Sequence, residues 1–284
     1  MTGLARRERT GSEKRDIGME QIRRMLPNSG YIKLGGAIPD KFFAAEILAM
    51  GMEDSYCDMW SRTEHLGPRL RSIATVSMMV GAGNVGNQFE LRYHAPAAIY
   101  NGVTIDELAA IVVHARAYVG SPASAWAHES IMNALKDHGL LDDPGSAVDV
   151  ARRERVGSEK RTVAREVLQE MEPDSALLDL PEELPRNLFT AELDFMILEN
   201  VYFDLWARTD VLDRHTRSIV TVGMLIGLAN HDALRAHVPV ALRNGVTVSE
   251  LEEIVYQAAT YLGYPTGTAA RAAIAAALED AGHR

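Results

Sequence analysis

Residues 5–15 read ARRERTGSEKR, and residues 151–161 read ARRERVGSEKR. Ten of the eleven positions agree at an offset of 146. The same offset pairs Phe43 with Phe189, Glu46 with Glu192 and Tyr56 with Tyr202. It also pairs Asp58, Trp60, Arg62 and Arg71 with Asp204, Trp206, Arg208 and Arg217. Further on the offset falls to 143, pairing His94 with His237 and Tyr118 with Tyr261. Asn101-Gly102-Val103-Thr104 likewise pairs with Asn244-Gly245-Val246-Thr247. The first copy therefore carries three extra residues, within 85–90. The chain is a tandem duplication, read as repeats 1–145 and 146–284 with a polar Pro-Gly join near 142–149.

Composition bounds the rest. The 284 residues, 47% of them hydrophobic, are enough for two cores of ordinary size. The net charge of −10 argues against a nucleic-acid surface. No apolar run approaches the roughly 20 residues of a membrane span, and the basic start has no apolar core of a signal peptide behind it. One cysteine, Cys57, forbids an internal disulfide. A soluble cytoplasmic protein is the expectation, with no membrane partner.

Each unit reads as helices. RSIVTVGMLIGLA (217–229) is apolar on nearly every face, as a buried helix is. VTVSELEEIVYQAATYLGYP (246–265) opens with Thr247 three residues before Glu250, a capping-box pattern. Its residues Leu251, Ile254, Val255 and Ala258 follow the helical i, i+3, i+4, i+7 spacing. Strand signals are absent, so the class is all-α.

The ordered set Trp-Ser/Ala-Arg-Thr, Arg-Ser-Ile, His, Asn-Gly-Val-Thr, Glu-Leu and Tyr-x-Gly-x-Pro occurs twice. It resembles the carboxymuconolactone decarboxylase family, whose fold is related to that of alkylhydroperoxidase D. The resemblance implies two tandem helical repeats forming a pseudo-dimer within one chain. It also implies sites near subunit contacts and a homo-oligomer, such as a trimer of tandem chains. The peroxidase branch of that fold uses a Cys-x-x-Cys pair ahead of the helix histidine. Here those positions are Asn87 and Glu90, and Asn230 and Ala233, so thiol chemistry is set aside.

The activity implied is a cofactor-independent lyase, acting on a small anionic acid or lactone. A diverged isomerase or cyclase and a non-catalytic binding protein are the alternatives. Loss of CO₂ leaves charge on a carbonyl oxygen, which needs preorganised donors and a proton source. His94 and His237 are candidate acids. Arg71 and Arg217 are candidate anion binders, against a structural reading in which they pair with Asp58 or Asp204. Trp60 with Arg62, and Trp206 with Arg208, are candidates for substrate contact or for packing and salt bridges. Glu253 and Gln257 lie one turn apart in the second copy; the first has Ala110 and His114 there. Glu90 lies four residues before His94, a spacing that predicts a hydrogen bond raising the histidine pKa. The sites are thus expected as Glu90, His94 and His114 in one copy, and Glu253, His237 and Gln257 in the other. The duplicated basic stretch has two readings, a cap that attracts anions or a solvated helix face. The solvated face is preferred. Scattered histidines argue against a metal.

Overall fold

The computed structural model describes residues 6–35, 37–38, 45–83, 85–141, 151–181 and 191–283. The expected join at 142–149 lies outside the described residues. Among them the structure is helical throughout, and one order of six helices occurs twice. In the first repeat α1 spans Gly11–Met25, and α2 runs Ala45–Met50 and continues as a π-helix over Gly51–Trp60. Then follow α3 Pro68–Ala82, α4 Val85–Tyr100, α5 Ile105–Tyr118 and α6 Ser121–Asp137. The second repeat has α7 Gly157–Met171, and α8 Ala191–Ile197 with its π-helix Leu198–Trp206. It continues with α9 Arg214–Gly227, α10 His231–Arg243, α11 Val248–Leu262 and α12 Tyr264–Asp280.

The boundaries follow local chemistry. Thr104 with Glu107 opens α5, and Thr247 with Glu250 opens α11, each pair forming the reciprocal capping box. Gly120 and Gly263, with φ of 86° and 90°, turn the chain into α6 and α12.

The apolar helices α3 and α9 cross at the centre and make the most extensive contact in the molecule. A Cβ on Gly81 would stand 2.3 Å from the Met224 carbonyl oxygen, and one on Gly227 would stand 2.3 Å from that of Met78. Both pairs are related by the repeat offset, so this is the reciprocal contact of a two-fold interface. One core runs through both repeats, with Ile73, Met78, Leu91 and Ile111 from the first and Ile219, Met224, Leu234 and Ile254 from the second. Close backbone approach at the glycines lets residues on either side of the crossing reach the opposite repeat.

The duplicated basic stretch docks each outer helix onto its π-helix, which corrects the solvated-face expectation. Lys14 reaches Asp58 at 2.7 Å and Arg15 reaches Glu53 at 2.5 Å. Arg6 donates to Ser61 at 3.1 Å and pairs with Glu64. In the second repeat Arg161 pairs with Glu199, Arg153 lies 3.7 Å from Asp204, and Arg152 donates to the Phe203 carbonyl.

Candidate active site

The π-helices end on Trp60 and Trp206, and each tryptophan donates its indole N–H across the repeat boundary. Trp60 Nε1 donates to Tyr261 Oη at 2.7 Å, and Trp206 Nε1 donates to Tyr118 Oη at 3.0 Å. The two sites are therefore exchanged between repeats. The first takes Trp60, Arg62, Arg71 and His94 from repeat one, with Glu253, Gln257 and Tyr261 from α11. The second takes Trp206, Arg208, Arg217 and His237 from repeat two, with Ala110, His114 and Tyr118 from α5. This overturns the expected grouping of Glu90, His94 and His114 against Glu253, His237 and Gln257.

In the first site Glu253 lies across two guanidiniums. Arg62 donates to it from Nε at 2.9 and 3.1 Å and from a terminal nitrogen at 2.5 Å; Arg71 donates at 2.8 Å. Arg71 is fully buried, and Glu253 is 3% exposed. Burial pushes the Glu253 carboxyl up, but the hydrogen bonds and charges of Arg62 and Arg71 outweigh it and hold it below the usual range. Burial pulls Arg71 down against the same partner, yet an arginine starts far above neutral and stays charged. The expected pairing of Arg71 with Asp58 does not occur, because Asp58 is taken by Lys14 and Arg7. Asp204 likewise lies with Arg153, not Arg217.

Gln257 completes the first arrangement. Its Oε1 accepts from Arg71 at 3.0 Å, and its Nε2 donates to Thr75 Oγ1 at 2.9 Å. His114 does the same work in the second site. Arginine can only donate, so Nδ1 of His114 accepts from Arg217 at 3.3 Å; Nε2 then donates to Thr221 Oγ1 at 2.8 Å. Thr75 and Thr221 in turn donate to the carbonyls of Arg71 and Arg217. Burial first, then the Arg217 charge, drives the His114 pKa well below its ordinary value. Its two nitrogens are both engaged, which makes His114 a brace for Arg217.

His94 sits in an aromatic cage. Its ring stacks on Trp60 with centroids 6.2 Å apart and meets the Tyr261 ring edge-on at 4.8 Å. Among the described residues neither ring nitrogen has a hydrogen-bond partner. Burial lowers its pKa to about 4, the reverse of the rise expected from Glu90. Glu90 is itself pushed up by burial. Its charge acts on the hydroxyls of Tyr31, Tyr56 and Tyr261, which burial and then these neighbours raise. In the second site the corresponding positions are Leu177, Tyr202 and Ala233, and Tyr202 donates to Glu172 at 2.6 Å. His237 is half-buried, with Nδ1 donating to the Ala233 carbonyl at 2.8 Å and its ring 5.5 Å from Tyr118.

Sequence reasoning missed the bridging Thr75 and Thr221, and the tyrosines Tyr118, Tyr261, Tyr31 and Tyr56. The repeat offset was an available signal, since each threonine stands four residues after its arginine. Among the described residues no three His, Cys, Asp or Glu side chains gather as a metal site would need. The thiol of Cys57 is buried, and burial pushes it up, away from the reactive thiolate.

The carboxymuconolactone decarboxylase family pattern matches residues 52–129 and 196–277. A 4-carboxymuconolactone decarboxylase from Acinetobacter baylyi is 35% identical over 119 residues, 42% of this chain and 81% of that protein. A nitrosuccinic acid decarboxylase from Metarhizium robertsii is 38% identical over 78 residues, 28% of this chain and 54% of that protein. Each segment matched by the family pattern holds one π-helix, one of the central crossing helices and the helix that reaches into the opposite site. The chain belongs to the carboxymuconolactone decarboxylase family, as a member with two tandem repeats.

Proposed function

We propose that the protein is a cofactor-independent decarboxylase-type lyase for a small oxidised acid or lactone, with its proton chemistry in the first site. The likeness to decarboxylases of 4-carboxymuconolactone and nitrosuccinic acid supports the reaction class. The observation that supports this site is His94, buried against the Trp60 and Tyr261 rings, with Glu90 one helical turn before it. Burial favours the uncharged form of both groups, in opposite senses of pKa. Such divergence marks sites of acid–base work.

The steps need no external electron sink. The substrate's C–CO₂ bond breaks, CO₂ leaves, and the electron pair moves onto the substrate's own carbonyl oxygen. Loss of the charged carboxylate as neutral CO₂ is favoured away from water, and His94 and Trp60 are both buried. The neutral imidazole of His94 donates N–H to the developing oxyanion, a role a low pKa suits. Glu90, whose acid form burial favours, delivers a proton to carbon and takes one back from solvent. Glu253 holds Arg62 and Arg71 in place as a positioning residue, and His237 stands outside the chemistry.

CO₂ release and ultraviolet change on 4-carboxymuconolactone and on nitrosuccinate test this reading. Glu90→Gln should lower kcat about 10²–10⁴-fold, the range of a lost general acid. His94→Gln should lower it by a comparable factor, and His237→Gln should leave it within about twofold. Full activity in Glu90→Gln and His94→Gln, or loss in His237→Gln alone, overturns it.

A further inference from the structure

The second site lacks a carboxylate where the first has one. Ala110 on α5 stands at the repeat position of Glu253 on α11. The methyl leaves a narrow cleft lined by Ala110, Arg208, Asp210, Arg217 and three apolar side chains. It has about 10 Å³, room for about one water-sized group, so a carboxylate would enter by a single oxygen.

Arg217 is 3% exposed, and its guanidinium is held by neutral acceptors alone. One terminal nitrogen donates to His114 at 3.3 Å, and the other donates to the carbonyls of Arg208 and Leu212 at 2.6 and 3.4 Å. Its buried Nε has no partner, as is also true of the Arg71 Nε in the first site. Burial, and then the neighbouring charge of Arg208, lower its pKa to about 10, so it remains a cation at neutral pH. Arg152 adds a third positive charge nearby. Among the described residues Asp210 is the only acid lining the cleft, and it acts on Arg217 through space without a hydrogen bond to it. Two cations meeting at a cleft shaped by a missing side chain ask for an anion, and the sibling site displays which kind. There a carboxylate takes two oxygens' worth of hydrogen bonds from Arg62 and one more bond from Arg71.

We infer that the cleft between Ala110, Arg208 and Arg217 binds the carboxylate of a small organic acid, at the place the Glu253 carboxylate takes beside Arg62 and Arg71. Val113, Leu205 and Val211 then face the first carbons behind the head, which suits a short hydrocarbon stem. This site stands apart from the chemistry proposed for the first one and does not depend on it.

Titration calorimetry of the full chain with succinate, at fixed ionic strength against chloride, tests the assignment. Saturable binding is expected, with one site per chain that depends on Ala110 and Arg208. Ala110→Glu supplies the missing carboxylate from the protein and should weaken succinate binding about tenfold or more, the size of a lost charged hydrogen bond. Should that variant fail to fold, Arg208→Met decides, with the same loss expected. A parent that binds succinate yet releases no CO₂ from either test substrate separates failure of the lyase reading from failure here. No saturable binding to the parent, or unchanged binding in Ala110→Glu or Arg208→Met, overturns the inference.

Discussion

The two sites share one frame and differ in their carboxylates, Glu253 against Ala110 and Glu90 against Ala233. Each joins a tryptophan, two arginines and a histidine of one repeat to a helix face of the other. At the foot of that face one repeat offers Glu253 and the other Ala110. The first site is partly compensated from within, with a buried carboxylate shared by two guanidiniums. The second has no carboxylate hydrogen-bonded to Arg217, only Asp210 acting through space, and a narrow cleft beside it. One turn further on, Gln257 and His114 fill the same hydrogen-bonding role with different chemistry. Duplication thus preserved the brace around the buried arginine while letting the charge beside it change.

That comparison can be broken most directly at Glu253. Glu253→Ala would give the first site the alanine of the second at this position and strand Arg71 without a counter-ion. Removing one partner of a buried pair costs about 3–5 kcal/mol, measured by urea denaturation. A loss under about 1 kcal/mol would mean that an uncompensated arginine pair is no burden in this frame, and that the second site carries no strain for a ligand to relieve.

Acid should separate the sites next. His94 has a folded pKa of about 4, below the ordinary 6.5 of an unfolded histidine. The unfolded chain therefore takes up the proton first, so acid favours unfolding. The stability present above pH 6.5 is lost progressively down to about pH 4, on the order of 3 kcal/mol from this residue. Between pH 7.5 and 4.5 the drop in Tm should be smaller in His94→Gln than in the parent. An equal drop would place the acid sensitivity on other groups, His114 among them.

The smallest difference is at the outer helices. Thr10 caps α1 with Glu13, whereas Val156, exposed at the same place before α7, makes no side-chain cap. Val156→Thr should raise stability by about 0.5–1 kcal/mol, read from a urea midpoint at unchanged m. No gain would mean that the ion pairs of Arg161 and Arg153 already hold that helix end.

The helices were legible because their causes are local. Apolar spacing, capping boxes and Asn-Gly stops act within one or two turns, so Thr104, Thr247, Gly120 and Gly263 could be read in place. The repeat was legible as well, and with it the list of paired residues. The grouping of those residues was not, because Glu253 meets Arg62 at a separation of 191 residues and Trp60 meets Tyr261 at 201. The Glu90–His94 spacing misled for a related reason. A shared helix face permits contact, but burial of the whole face decided the pKa.

What the sequence by itself determined is the kind of element, its repetition and the inventory of chemical groups, all set by short-range periodicity and identity. Only the tertiary structure decided which repeat completes which site. The physical reason is the crossing of α3 and α9, where Gly81 and Gly227 let two backbones touch. That contact carries α11 to the first repeat's arginines and α5 to the second's, so one carboxylate seals one site and its absence leaves the other open.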